Sequence, residues 1–148
     1  MKIYSIPTEQ APVSLLFLAD PSKERIASYL PDSTCYVVED GGDIWGACVV
    51  SHIDDGVYEL HSIAVEPDKR GKGIGFKLLK HVIADVRHRG GRQIQVGTGT
   101  FGYPLTFYQR AGFRVHSIAR DYYLHTYEMP LWESGVQHKD MLRFSLEL

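Results

Sequence analysis

A glycine-rich segment, Arg70 to Gly75, places the strongest restriction on how this chain folds. It reads Arg-Gly-Lys-Gly-Ile-Gly and follows Val57 to Val65, a run whose composition predicts a strand. Directly after it the hydrophobic period becomes helical. The apolar residues that set this period are Ile74, Leu78, Leu79, Val82, Ile83 and Val86. The sequence therefore predicts a strand, a short glycine loop and a long amphipathic helix.

The glycine loop is predicted to bind an anion. The first turn of a helix carries N–H groups without partners and the positive end of the helix dipole. Glycines let a phosphate approach the backbone, and the side chains of Arg70 and Lys72 add positive charge. Several converging amides suit a diphosphate better than a carboxylate. The alternative is an ordinary glycine-rich turn with two solvated cations.

The rest of the pattern predicts one α/β domain over residues 1–148. A first strand at Lys2 to Ile6 is followed by two short helices and three antiparallel strands joined by tight turns. The full order is βααβββαβαβ with a last strand, and Asp121 to Gly135 is predicted as an aromatic loop. This order suits a mixed, mostly antiparallel sheet with helices on both faces. The apolar face of the first helix is predicted to contain Leu15, Leu16, Leu18 and Ala19.

Composition excludes several classes of protein. The hydrophobic fraction of 44% and the net charge of −2 argue against a disordered chain and against a general nucleic-acid partner. No apolar run approaches the roughly 18 residues of a membrane span, and no signal peptide is recognised, so we expect a cytoplasmic protein with no membrane partner. Cys35 and Cys48 are predicted to be buried small hydrophobes. The scattered histidines predict no metal site.

Two motifs give this chain its resemblance to a known family. Arg70, Gly73 and Gly75 match the pattern [QR]xxGx[GA] between a strand and a helix. The later segment Phe107 to Phe113, Phe-Tyr-Gln-Arg-Ala-Gly-Phe, matches an aromatic-Tyr-x-x-x-Gly-Phe pattern. The chain thus resembles the GNAT (Gcn5-related) N-acetyltransferases over roughly residues 35–119. The resemblance implies a GNAT fold, in which the strands after residue 65 splay from the earlier ones and open a V for acetyl-CoA.

The resemblance implies acetyl-CoA as cosubstrate and a role for particular residues. The loop from Arg70 to Gly75 would hold the pyrophosphate, and the strand edge from Ile63 to Val65 would pair with the pantetheine arm. The Val65 N–H would polarise the thioester carbonyl. Tyr108 would protonate the departing thiolate, or alternatively support its helix as a buried aromatic. The implied cofactor-binding residues are Ile63, Ala64, Val65, Arg70, Gly71, Lys72, Gly73, Ile74 and Gly75.

A general base is expected because an acceptor amine arrives mostly as ammonium. Glu59 occupies the strand position where several members of the family carry a base glutamate. In a regular strand it would share a face with His61, Ile63 and Val65. Two alternatives remain open for Glu59: a solvent-facing residue or a salt-bridge partner. His61 is interpreted either as a proton relay or as a packed histidine without a function.

The acceptor is expected to bind outside the shared motifs. The segment Asp121 to Gly135 combines aromatic residues with carboxylates, which suits a cationic amine. The alternative is a long loop folded onto the core. The expected partner is a small-molecule or peptide amine, and the resemblance also implies that a homodimer is one assembly to expect.

Two other functions compete with acetyl transfer. One is a non-catalytic acyl-CoA-binding sensor of the same fold, which needs no base. The other is an NAD-dependent enzyme, because Gly97 to Gly102 matches GxGxxG and Asp121 follows about 20 residues later. The short helix after Gly102 and the late position of the motif argue against it. In an acetyltransferase these glycines would instead leave space beside the cofactor.

Overall fold

A computed structural model describes all 148 residues. Contacts divide the chain into two compact units, residues 1–94 with Leu148 and residues 95–147. The predicted α/β class with mostly antiparallel strands is confirmed. Four pairs of neighbouring strands in the main sheet run antiparallel. The predicted splay after residue 65 stays a prediction. No helix is long and apolar enough to cross a membrane.

The first unit contains four antiparallel strands in the order β1-β2-β3-β4. The turn between β2 and β3 is formed by Gly41 and Gly42, whose φ angles of +60° and +90° favour glycine. All four predicted strands are confirmed. Their bounds are β1 Lys2–Ile6, β2 Thr34–Asp40, β3 Asp43–Asp54 and β4 Val57–Val65.

Helices lie on both faces of these strands. Short helices α1 (Val13–Ala19) and α2 (Lys23–Tyr29) contribute to a core cluster with alternate residues of β2 and β3. The long helix α3 (Ile74–His88) contacts the other face, where the Tyr36 hydroxyl donates to Asp85. α3 buries all six of its predicted apolar residues. In α1 the prediction is only half right, because Leu15 and Leu16 are buried while Leu18 and Ala19 are exposed.

The second unit begins within β5 and has the strand order β5-β9-β6. The prediction of a loop over residues 121–135 is wrong in part, because this segment contains a short helix and the start of a small hairpin. Ser134 and Gly135 form the hairpin turn with positive φ. The elements are β5 Gln93–Thr98, α4 Tyr103–Arg110, β6 Arg114–Ala119, α5 Tyr122–Thr126, β7 Trp132–Glu133, β8 Val136–Gln137 and β9 Met141–Glu147.

Both cysteines are buried and free, as predicted. Burial raises the pKa of the Cys35 thiol to about 11, and burial raises the pKa of Cys48 as well. A thiol must ionise to become a nucleophile, so these two side chains stay protonated and act as small apolar groups.

Candidate functional site

The glycine loop presents open backbone at the start of α3. Gly71 and Gly73 have φ angles of +79° and +77°, and a Cβ added at either would meet nothing within 4 Å. These glycines are therefore required by backbone conformation and not by close packing. The first helical hydrogen bond runs from the Lys77 N–H to the Gly73 carbonyl at 3.1 Å. No side chain caps this helix, and its first turn carries no acidic residue.

Three cations surround this helix start. Arg70 and Lys72 are exposed, as a loop that receives an anion requires. The Arg70 Nε donates to the Val65 carbonyl at 3.0 Å, which ties the loop to the end of β4. Lys69, which the sequence reasoning missed, has its Nζ 4.6 Å from the ring centroid of Trp45 and 3.9 Å from a carboxylate oxygen of Asp68. Open amides, a helix dipole and the exposed Arg70 and Lys72 together favour an anionic ligand.

The end of β4 directs alternate backbone groups away from β3. In an antiparallel pair, residues alternate between exchanging hydrogen bonds and pointing their N–H and C=O groups outward. The Glu66 N–H donates to the Trp45 carbonyl at 2.8 Å, so the preceding residue, Val65, points outward. By the same alternation Ile63 also points outward, whereas Ala64 points toward β3. The side chain of Ala64 belongs to the core cluster with α1 and α2.

A β-bulge interrupts β4 at His61. On β3, Val49 pairs with Ser62, but the next residue, Val50, pairs with Leu60. His61 is thus an extra residue that has no partner on β3. A bulge of this kind reverses the relation between sequence position and sheet face for the residues on either side of it.

The bulge overturns the expectation that Glu59 and His61 share a face with Ile63 and Val65. Glu59 pairs with Ser51, two residues beyond a member of the α1–α2 core cluster, and His61 contacts α2 directly. Both side chains therefore lie on the α1–α2 face. Ile63 pairs with Cys48, which lies on β3 between the cluster members Ala47 and Val49. Ile63 therefore faces the α3 side.

His61 is held by groups that the sequence reasoning missed. Its Nε2 lies 2.6 Å from the Ser51 Oγ, and its ring stacks on Tyr29 with centroids 4.2 Å apart and planes 6° apart. The Tyr29 hydroxyl donates to the buried carboxylate of Asp20 at 3.0 Å, and Arg25 lies 3.5 Å from the same carboxylate. Burial raises the pKa of Tyr29, so its hydroxyl stays a neutral donor. Only the tertiary fold brings these groups together.

Tyr108 lies in α4 and is buried among aromatic rings. Its ring centroid is 5.2 Å from Phe107, 5.5 Å from Phe113 and 6.2 Å from Phe144. Its carbonyl accepts from the Phe113 N–H at 3.1 Å, which closes the end of the helix. The aromatic residues of the second sequence motif therefore pack around Tyr108, and the Tyr108 ring supports this cluster.

The GxGxxG segment is filled by side chains of its own unit. A Cβ at Gly97 would collide with the Met141 sulfur, and one at Gly99 would lie 2.5 Å and 2.6 Å from two ring atoms of His138. The expectation that these two glycines leave space for a cofactor is therefore wrong. Both positions require glycine because the side chains of Met141 and His138 occupy the space that a Cβ would need. The segment leads into α4, a helix of only eight residues.

Residues 121–135 contain an aromatic cluster that extends beyond them. Tyr123 contacts Tyr122 and Tyr127, and it also lies 5.5 Å from the His138 ring. His138 stacks on Phe101 at 4.5 Å, and its Nε2 lies 2.8 Å from a carboxylate oxygen of Glu133. The sequence reasoning missed His138. Trp132 remains outside the cluster with 65% of its surface exposed.

No group of three or more His, Cys, Asp or Glu side chains is arranged to hold a metal ion.

Comparison with known proteins gives one consistent family. A family model described as an acetyltransferase (GNAT) domain matches residues 31–115. The uncharacterized N-acetyltransferase YvbK of Bacillus subtilis (strain 168) is 35% identical over 135 residues, covering 90% of this chain and 87% of that protein.

Solved structures agree with that comparison. An IAA acetyltransferase from Bacillus cereus ATCC 14579 matches with a TM-score of 0.95 and 40% identity over 99% of both chains. A GNAT family acetyltransferase from Elizabethkingia anophelis, with acetyl-CoA bound, matches with a TM-score of 0.95 and 34% identity over 99% of this chain and 97% of that one.

The packing of Gly99 against His138 gives a testable prediction. Gly99→Ala should lower the free energy of unfolding by about 1–3 kcal/mol, because the new methyl group overlaps the imidazole. The measurement is chemical denaturation of the single variant and of the same substitution in a His138→Ala background. We expect the loss to shrink in the double variant. An equal loss in both backgrounds would contradict this packing role.

Proposed function

The chain belongs to the GNAT family of acetyltransferases, and on this premise we propose that it moves an acetyl group from acetyl-CoA directly to a primary amine. It is an acyltransferase. The observation that carries the proposal is the uncapped start of α3, which has two positive-φ glycines in open surroundings and two exposed cations beside them. Acetyl-CoA bound to the Elizabethkingia anophelis relative supports the choice of cosubstrate.

The diphosphate of acetyl-CoA is bound by the loop from Arg70 to Gly75. The N–H groups from Gly71 to Gly75 donate to its oxygens, and the side chains of Arg70 and Lys72 neutralise its charge. The two positive-φ glycines support this role, because any side chain there would strain the backbone that carries the amides.

The acetylated arm of the cofactor extends along β4. Ile63 and Val65 supply outward backbone groups that pair with the pantetheine amides, as an added strand would. The expected cofactor contact of Ala64 is not supported, because its backbone groups point toward β3 and its side chain is buried in the core cluster. The Val65 N–H donates to the thioester oxygen and stabilises the negative charge that develops there during attack.

Transfer occurs within a complex of enzyme, acetyl-CoA and amine. The ammonium of the acceptor gives up a proton to a side chain of β4, for which Glu59 is the candidate from the sequence, and the freed electron pair attacks the thioester carbon. A C–N bond forms and the C–S bond breaks. The sulfur leaves as a thiolate and takes a proton from the Tyr108 hydroxyl. The nitrogen releases its second proton to solvent, and Tyr108 regains a proton from solvent. The products are the N-acetylated amine and CoA.

The acceptor is a small-molecule or peptide amine that binds at residues 121–135. Its cation is attracted by the tyrosine cluster and by the exposed carboxylates of Glu128 and Glu133. Exposed Trp132 offers a further aromatic face for the same ligand. A non-catalytic acyl-CoA sensor would share the cofactor loop and would release no CoA when amines are added.

The cofactor assignment predicts the behaviour of Gly73→Glu. A carboxylate at the start of α3 repels the diphosphate, so acetyl-CoA should no longer raise the unfolding temperature, whereas the wild type gains about 2.7 kcal/mol at 100 times the dissociation constant. Gly41→Glu is the matched control, since Gly41 also has a positive φ and open surroundings. It should keep the full acetyl-CoA response. An unchanged response in Gly73→Glu would contradict the assignment.

The proposed acid role predicts the behaviour of Tyr108→Phe. The ring cluster is kept but the proton donor is lost, so kcat should fall by about 10²–10⁴ while the dissociation constant of acetyl-CoA is unchanged. Turnover is followed by thiol release with a panel of primary amines. Tyr103→Phe, an exposed tyrosine of the same helix, serves as the control. If both variants turn over at the wild-type rate, Tyr108 has only its supporting role.

A further inference from the structure

His61 is oriented more strictly than a packed histidine requires. Its strand bulges at this residue, β3 supplies a hydrogen-bonding hydroxyl from Ser51, and α2 supplies a ring parallel to the imidazole from Tyr29. The Ser51 contact fixes the rotation of the imidazole within its plane, and the Tyr29 stack fixes the plane itself. An imidazole fixed in both respects keeps one orientation toward any neighbouring reactant.

The support of His61 extends into a second layer. Tyr29 is held by its hydrogen bond to Asp20, a carboxylate that is 3% exposed and paired with Arg25. On the sheet, Ser51 is the cross-strand partner of Glu59. The charged groups connected to the imidazole in this way are Asp20 and Arg25, through Tyr29, and Glu59, through Ser51.

Spacing along β4 ranks the two groups that can accept a proton. The β3 partners of Ile63 and Glu59, Cys48 and Ser51, are three residues apart, so at about 3.3 Å per residue Glu59 lies about 10 Å along the strand from Ile63. His61 lies in the bulge between them and is nearer to Ile63. The acyl group is proposed to lie at Ile63 to Val65, and an amine that attacks it therefore meets the imidazole before the carboxylate. Both side chains lie on the α1–α2 face.

We propose that His61 takes the proton from the acceptor amine, that Glu59 stabilises the resulting imidazolium, and that Ser51 and Tyr29 are positioning residues. This inference rests on the proposed acetyl transfer. An imidazole is the side chain whose ordinary pKa lets it accept and release a proton near neutral pH. One proton moves from nitrogen to the ring, and the amine electron pair then forms the C–N bond. The thiolate still takes its proton from Tyr108, which regains one from solvent, and the ring proton and the second proton of the nitrogen pass to solvent.

The test is the pH dependence of kcat/KM, measured by thiol release from acetyl-CoA. The probes are benzylamine, spermidine and the peptide Ala-Gly-Gly, and the fastest of them is used for every variant. The wild type should lose activity as pH falls through the range in which an imidazole becomes protonated. His61→Gln should lower kcat by about a hundredfold and abolish that dependence. Added imidazole should restore part of the activity of His61→Ala.

Matched variants separate a proton carrier from a packing residue. His52→Gln changes a neighbouring exposed histidine, whose ring contacts Tyr58, and should leave the profile unchanged. Ser51→Ala removes only the hydroxyl and should lower kcat and displace the acid limb while acetyl-CoA still stabilises the fold. If the His61 variants fail to fold, Ser51→Ala still tests the proposal.

The outcomes distinguish this inference from the function on which it rests. Thiol release by wild type together with a His61→Gln profile that keeps its acid limb would overturn the role of His61 and leave acetyl transfer intact. A profile that changes only in Glu59→Gln would do the same. No thiol release by wild type with any of the three amines would overturn the proposed acetyl transfer, and the role of His61 with it.

Discussion

The first turn of α3 cannot satisfy its own backbone N–H groups, and this deficit governs the rest of the structure. A helix normally meets it with a capping side chain, but the residue at this position is Gly73, which has none. Positive φ at Gly71 and Gly73 keeps the loop open above the amides. Arg70 holds the loop to the end of β4 through the Val65 carbonyl. The helix start is thus tied to the strand end and keeps open amides that suit an anion.

The bulge in β4 is the second constraint, because it reverses which residues of the strand face which side of the sheet. After the bulge, the backbone groups of Ile63 and Val65 point away from β3. At and before it, Glu59 and His61 turn their side chains to the α1–α2 face, where Ser51 and Tyr29 meet them. In the proposed function, the first set pairs with the acyl arm and the second set meets the amine.

Local periodicity was enough to predict most of the elements. The limits of β4 and the buried face of α3 follow from alternation and helical spacing that no distant contact disturbs. The bulge at His61 did not follow, because strand register is decided by the partner strand and leaves no mark in the alternation of β4. The packing of Gly99 against His138 was missed for a related reason: the two residues are 39 positions apart, and a glycine pattern does not reveal what occupies the space it leaves.

The proposed acetyl transfer depends most directly on diphosphate binding by the glycine loop. The measurement is isothermal titration of the protein with acetyl-CoA and with S-acetylpantetheine, which keeps the thioester and lacks the nucleotide part with its diphosphate. Charge-assisted hydrogen bonds contribute about 1.5–3 kcal/mol each, so the loss of only two predicts affinity weaker by at least about a hundredfold. We expect weak binding of S-acetylpantetheine and tight binding of acetyl-CoA. Equal affinity for the two ligands would contradict the proposed diphosphate binding, since the loop would then contribute nothing to recognition.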